Sequence, residues 1–156
     1  MIEVKVPGFR HLQLEHLVLD YNGTLAVDGK LIPNVEGLLK QLSQDLQIHV
    51  LTADTFGLAA AQIEGLPVKL TITPSESQAE TKLSYIRELG IDQVVAIGNG
   101  RNDRKMLKTA AVGIALIQKE GASVETLTSA DIVCNSITDA LELLQNPKRI
   151  IATLRS

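Results

Sequence analysis

Aromatic residues make up only 3% of the 156-residue chain and tryptophan is absent, so any core must be built from aliphatic side chains. Cysteine occurs once. Cys134 has no internal disulfide partner, and its place in the apolar run Ile132-Val133-Cys134 marks a buried, inert thiol rather than a nucleophile. No apolar stretch reaches the ~20 residues that span a bilayer, and Met1–Lys5 does not read as a signal peptide. The expectation is a cytoplasmic protein with no membrane partner. An excess of basic residues is also missing: 15 Lys and Arg against 18 Asp and Glu give a net charge of -3, and the basic residues are scattered. That distribution argues against a nucleic-acid partner. Internal repeats, low-complexity tracts and linkers are absent as well. A hydrophobic content of 45% over this length suits one domain, 1–156, with a real core.

The chain is organised around Leu17-Val18-Leu19-Asp20-Tyr21-Asn22-Gly23-Thr24, an apolar strand that runs straight into a polar turn. Taken alone, Asn22-Gly23 reads more readily as a hairpin turn with Asp20 as its capping side chain. The neighbouring segments bear on that choice. Ile2–Val6 and Leu12–Glu15 alternate with period two around Pro7-Gly8 and predict an N-terminal hairpin. Asp28-Gly29 between short apolar arms predicts a small β flap over 25–32, placed to shield the Asp20 turn from water. Val35, Leu38, Leu39, Leu42 and Leu46 follow helical spacing. Strands are predicted at 48–51, 68–72, 94–97, 112–115 and 131–133. A helix over Ala79, Leu83, Ile86 and Leu89 ends at Gly90, and the last helix opens at Pro147. Alternating strands and helices with short loops predict an α/β fold, a doubly wound, mostly parallel sheet with helices on both faces.

In such a sheet the strand ends lie along one carboxyl edge, where α/β proteins place their chemistry. Asp20, Thr52 and the loop Gly98–Asp103 would emerge there, and the helix carrying Lys82 could lay its ammonium over them. These residue types suit phosphoryl transfer. Asp20 is the candidate nucleophile, the backbone N–H groups of residues 21–24 and the Thr52 hydroxyl are candidate phosphate donors, Lys82 the neutralising cation and Asp103 a ligand for a hard cation. Asp54 and Thr55 are expected to begin the next helix. His11, His16 and His49 lack ligand-like spacing, and Lys148, Arg149 and Arg155 read as solvated residues of the last helix.

The motifs Asp20-Tyr21-Asn22-Gly23-Thr24, Thr52, Lys82 and Gly98-Asn99-Gly100-Arg101-Asn102-Asp103 occur in the order of the haloacid dehalogenase superfamily, and the chain resembles those aspartate-nucleophile phosphohydrolases. Ala111–Ala115, Gly121-Ala122 and Ala130–Val133 extend the likeness to the end of the phosphorylation domain of P-type ATPases. The resemblance implies a soluble, stand-alone version of that domain that pumps no ions. It implies Asp20 carrying an aspartyl-phosphate, with Tyr21, Gly23, Thr24, Thr52, Ala53, Lys82 and Asn102 around the phosphate. Mg²⁺ would be held by Asp20, the Asn22 carbonyl and the fourth motif, through Asn99 or Asp103.

Two positions depart from the family pattern. Its phosphatases carry Asp two residues after the nucleophile, as acid and base, where this chain has Asn22. An amide cannot shuttle that proton, a function typically worth about 10²–10⁴-fold. Asn99 stands where the main Mg²⁺-ligating Asp is usual, a loss of charge of roughly 1–3 kcal/mol in metal binding. Neither 25–51 nor 53–81 has room for a cap domain, so the resemblance implies an open site, with either a macromolecular phosphate as substrate or a lid from a second copy in a homo-oligomer. Two functions follow: a slow Mg²⁺-dependent phosphatase acting on phosphomonoesters, or a catalytically impaired phosphate-binding or regulatory module on the same scaffold.

Overall fold

The structure is a computed structural model and describes residues 1–54 and 57–156. Its centre is a six-stranded sheet made of β3 (His16–Asp20), β6 (Gln47–Thr52), β7 (Lys69–Ile72), β8 (Val94–Gly98), β9 (Val112–Leu116) and β10 (Ile132–Cys134). Every neighbouring pair is parallel, in the order β10-β9-β8-β3-β6-β7. A parallel sheet is covered on both faces, which is why β3, β6, β8 and β9 read as nearly unbroken apolar runs. The fold is the expected doubly wound α/β arrangement.

Strand alternation sorts the core into two layers. Leu17, Leu19, Val95 and Ile97 pack with α1 (Val35–Leu42), α2 (Leu58–Ile63), α6 (Ile137–Gln145) and α7 (Pro147–Leu154). Val18, Leu51, Val94 and Ala96 pack on the other face with α3 (Gln78–Leu89) and α4 (Arg104–Thr109). Asp20 lies two residues beyond Val18 and so shares the face that α3 covers. The topology reverses at β3: the chain winds outward through β6 and β7 on one side and through β8, β9 and β10 on the other. That switch point opens a crevice at the carboxyl end of β3.

Two small antiparallel units flank the sheet. The hairpin β1 (Ile2–Lys5) and β2 (His11–Leu14) buries Ile2, Val4, Leu12 and Leu14 against the first layer. The flap β4 (Ala26–Val27) and β5 (Lys30–Leu31) turns through Asp28 and Gly29, whose φ values of 52° and 80° are those of a type I′ turn. The Tyr21 hydroxyl donates to Gly29 O at 2.9 Å and ties the flap to the Asp20 turn.

Two local expectations differ. The buried face of α3 is Lys82, Leu83 and Ile86, while Ala79 and Leu89 are half-buried. Helix α2 begins at Leu58, not at Asp54; Asp54 instead reaches forward, accepting from Ala59 N at 2.8 Å and Ala60 N at 3.1 Å. Thr55, expected to open that helix, lies outside the described residues. Cys134 is buried and free, and burial pushes its thiol up to about 11. Among the described residues no helix is long and apolar enough to cross a membrane.

Candidate active site at the carboxyl edge of the sheet

Asp20 ends β3 with its carboxylate almost buried and held on both oxygens. Lys82 Nζ donates to Oδ1 at 2.9 Å, and the buried Thr24 hydroxyl lies 3.2 Å from Oδ2. Lys82 has all three ammonium donors placed, the others on Asp103 Oδ1 at 2.8 Å and Asn102 Oδ1 at 3.1 Å. Burial alone would favour neutral Lys82, but the two carboxylates outweigh it and hold the amine above its ordinary range. A lysine that α3 turns inward, 1% exposed, is therefore a fixed cation on the nucleophile side chain rather than a solvated surface group.

Asp103 is fully buried. Its Oδ2 accepts from the N–H groups of Asn99 at 3.1 Å and Gly100 at 3.0 Å, and its Oδ1 takes Lys82. Burial and the charge of Asp20 push this carboxyl above the usual range, while Lys82 pulls it back. Three donors converge on the group, the pattern of an ionised carboxylate that organises the loop after β8. Asp103, expected also as a metal ligand, lies fully buried behind Asp20 and does not wall the cavity that opens over it. Gly98 is required beneath it, since a Cβ there would strike the Asp103 carboxyl group.

Asn99 is oriented by its neighbours. Its Nδ2 donates to Gly121 O at 3.0 Å, which leaves Oδ1 directed at the Thr24 hydroxyl, 3.3 Å away. Gly23, at φ 78°, passes so close to the Asn99 amide that a Cβ would collide with it. The turn after Asp20 is internally satisfied: Gly23 N donates to Ala26 O at 2.8 Å and Thr24 N to Tyr21 O at 3.2 Å. These two N–H groups, expected to face phosphate, are spent within the turn. Gln118 pins the same turn from outside, its Nε2 lying 3.0 Å from both Gly23 O and Thr24 O and its Oε1 accepting from Ile137 N at 2.8 Å.

A cavity of about 290 Å³ stands over Asp20, walled by Asn22, Thr52, Ala53, Gln78, Asn99, Gly100, Asn102 and Glu120. The Thr52 oxygen accepts from Asp54 N at 3.2 Å, so its hydroxyl hydrogen is left to donate into the cavity. Asn102, expected at the phosphate, gives its carbonyl oxygen to Lys82 and its amide nitrogen to Gln78 Oε1 at 3.0 Å. Asn22 is exposed and also walls a second cavity of about 290 Å³, bounded by Tyr21, Asp28, Gly29, Ala53, Asp54 and Leu58 between the flap and α2. Sequence reasoning missed Gln78, Gln118 and Glu120. The last two follow β9, a strand of the same sheet, and its carboxyl end was open to the reasoning applied to β3, β6 and β8.

The donor set fits a hard divalent cation. Asp20, Lys82 and Asp103 sum to a charge of −1, which by itself repels a phosphate dianion. Asp20 Oδ2, the Asn22 carbonyl and Asn99 Oδ1 are all oxygens, and Mg²⁺ is commonly held by one or two carboxylates together with the substrate's phosphate. Among the described residues there is no group of three or more His, Cys, Asp or Glu side chains able to hold a metal, so neutral oxygens must complete such a site.

Comparison with known proteins gives the chain a family and relatives of similar fold. Residues 40–140 match the family of haloacid dehalogenase-like hydrolases, a span that contains Thr52, Lys82 and the loop Asn99–Asp103. An uncharacterized protein of Methanocaldococcus jannaschii is 45% identical over 83 residues, 51% of this chain and 89% of that one. The fold is similar to a 3-deoxy-D-manno-octulosonate 8-phosphate phosphatase from Moraxella catarrhalis in complex with magnesium, phosphate and KDO, with TM-score 0.66, 18% identity, and 91% and 94% of the two chains covered. The catalytic domain of the CPx-ATPase CopB-B superposes with TM-score 0.62 and 27% identity over 74% of this chain, which spans about half (46%) of that one. The chain belongs to the haloacid dehalogenase-like hydrolases.

Proposed function

We propose that the protein is a Mg²⁺-dependent phosphohydrolase that uses Asp20 as nucleophile on phosphomonoesters and turns over slowly. The observation that carries this reading is the Asp20 carboxylate, held at 2.9 Å by a buried Lys82 on the floor of a cavity that Thr52 also walls. One Asp20 oxygen attacks phosphorus, the bond from phosphorus to the leaving oxygen breaks, and an aspartyl-phosphate results. Water then attacks the same phosphorus and releases inorganic phosphate and the Asp20 carboxylate. The Thr52 hydroxyl donates to a transferring oxygen and Lys82 acts through its charge, its donors being held by Asp20, Asp103 and Asn102, so the work is mostly positioning and electrostatics. Asp20, the Asn22 carbonyl and Asn99 would hold Mg²⁺, which supplies the positive charge that offsets the dianion.

Asn22 sets the substrate preference. No proton reaches the leaving group from an amide, so the site suits phosphates whose leaving group departs unprotonated, such as acyl and aryl phosphates. The cavity between the flap and α2 begins at Asn22 and gives the leaving group room. The same feature favours the second reading, a phosphate-binding module that holds its ligand without turnover. A phosphatase assay with Mg²⁺ on acetyl phosphate and p-nitrophenyl phosphate separates the two: turnover abolished in Asp20→Asn supports the enzyme, whereas binding of beryllium fluoride at Asp20 without any turnover supports the module.

A further inference from the structure

One carboxylate in the cavity wall is left unused by this scheme. Glu120 lies in the loop between β9 and α5 (Val124–Ser129), is exposed, and shares the cavity with Asp20, Asn22 and Asn99. Three other carboxylates at this edge are engaged, and Asp28 borders only the second cavity, beside the flap. Asp20 is held by Lys82 and Thr24, Asp103 by Lys82 and two backbone N–H groups, and Asp54 by the N–H groups of Ala59 and Ala60. Among the described residues the Glu120 carboxylate has neither a hydrogen bond nor an ion pair.

The loop that carries Glu120 is docked on the expected metal-binding residues. Asn99 Nδ2 donates to Gly121 O at 3.0 Å, and Ser123 N donates to Asn99 O at 2.9 Å. On the other side of Glu120, Gln118 grips Gly23 O and Thr24 O, each at 3.0 Å, in the turn that also carries the Asn22 carbonyl. The backbone on both sides of Glu120 is thus tied to the two segments that offer neutral oxygens, and Glu120 lines the same cavity as Asp20, Asn22 and Asn99. Only Asp20 contributes charge among those donors, since Asn99 stands where a carboxylate would be expected.

We propose that Glu120 supplies the second carboxylate to the divalent cation that Asp20, the Asn22 carbonyl and Asn99 would hold. It replaces from the β9 loop the charge that Asn99 does not carry. The inference rests on the proposed function only in placing a cation at Asp20. Its chemistry is a carboxylate oxygen meeting a hard cation, with no proton moved.

Titration of Mn²⁺ alone into the intact protein, with free Mn²⁺ read by electron paramagnetic resonance, tests this. Four proteins are compared, wild type, Asp20→Asn, Glu120→Gln and the double variant Glu120→Gln with Asn99→Asp, each with a thermal melt to check folding. Glu120→Gln is expected to raise the Kd about tenfold, a loss typical of removing one supporting group from a metal site. Adding Asn99→Asp is expected to bring the Kd back to within about threefold of wild type, because it returns one carboxylate to the same donor set. Weaker binding in Asp20→Asn with no change in Glu120→Gln overturns this inference alone. Equal binding by Asp20→Asn and wild type shows that no cation sits at Asp20, and overturns the functional reading with it. A change in turnover without a change in Kd on Glu120→Gln also overturns the proposal, because the residue would then act on the substrate or its proton.

Discussion

Lys82 Nζ stands 2.8 Å from Asp103 Oδ1, an ion pair closed to solvent beneath the nucleophile. Pairs of this kind contribute little over an apolar replacement of both members, but removing one member leaves a buried charge without its partner. Lys82→Met strands both Asp20 and Asp103. Unfolding in urea should show a loss of about 3–5 kcal/mol. Asp103→Asn should cost less, since the amide oxygen can still accept from Lys82 or from the loop.

Restoring the missing acid is a direct test of Asn22. The residue is exposed, so Asn22→Asp should leave stability nearly unchanged. Turnover of alkyl phosphates should rise by about 10²–10⁴-fold, the usual worth of general acid–base catalysis, and that of acyl phosphates much less. Steady-state kcat on the two substrate classes, before and after the substitution, measures the difference. Equal gains on both would show that the leaving group's proton is not what limits the wild-type protein.

Gln118 makes three hydrogen bonds that no other described side chain makes to the Gly23-Thr24 carbonyls and to Ile137 N. At about 0.5–1.5 kcal/mol each, Gln118→Ala should destabilise the fold by roughly 2–4 kcal/mol. It should also loosen the turn that carries the Asn22 carbonyl. Hydrogen exchange should report faster opening at residues 22–26, with the N-terminal hairpin unaffected.

A histidine pair on β3 and β6, away from the site, makes its own contribution to the response to acid. His16 Nδ1 lies 3.1 Å from His49 Nε2, and His49 Nδ1 lies 2.8 Å from the Tyr85 hydroxyl. Burial, with the nearby charges of His16 and Lys69 adding to it, lowers His49 to about 4 from its ordinary 6.5. In this range the unfolded chain binds a proton at His49 that the folded chain refuses, so the contribution of His49 to stability is full above pH 6.5 and is lost as pH falls toward 4. The loss from His49 is up to about 3 kcal/mol. Urea midpoints between pH 7 and pH 4 should trace it, and His49→Gln should flatten that part of the profile.

Much of the site was legible because an apolar run that stops on polar residues is a strong signal. Asp20, Thr52 and the Gly98–Asp103 loop all end such runs, and parallel pairing puts them on one edge. What stayed hidden depended on three-dimensional accounting. Helical periodicity counts apolar side chains, so it assigned α3 a face of Ala79, Leu83, Ile86 and Leu89, whereas the lysine beside Leu83 is the deeper residue. Whether a turn's N–H groups are free cannot be read from Asp, Asn, Gly and Thr. Here Ala26 O and Tyr21 O claim two of them. Asp103 reads in the sequence as a lone carboxylate, and the closure of the loop on its Oδ2 is visible only in three dimensions. The loop after β9 escaped because its strand looked like the completion of the sheet rather than another strand end at the site.

The central claim is that Asp20 becomes phosphorylated and then discharged. It is tested most directly by mixing the protein with Mg²⁺ and acetyl phosphate, quenching in acid and mapping phosphate by intact and peptide mass spectrometry. One phosphoryl group on Asp20, removed by hydroxylamine and absent from Asp20→Asn, is the predicted result. A label that persists in Asp20→Asn, or acetyl phosphate hydrolysed at the same rate by both proteins, would contradict it.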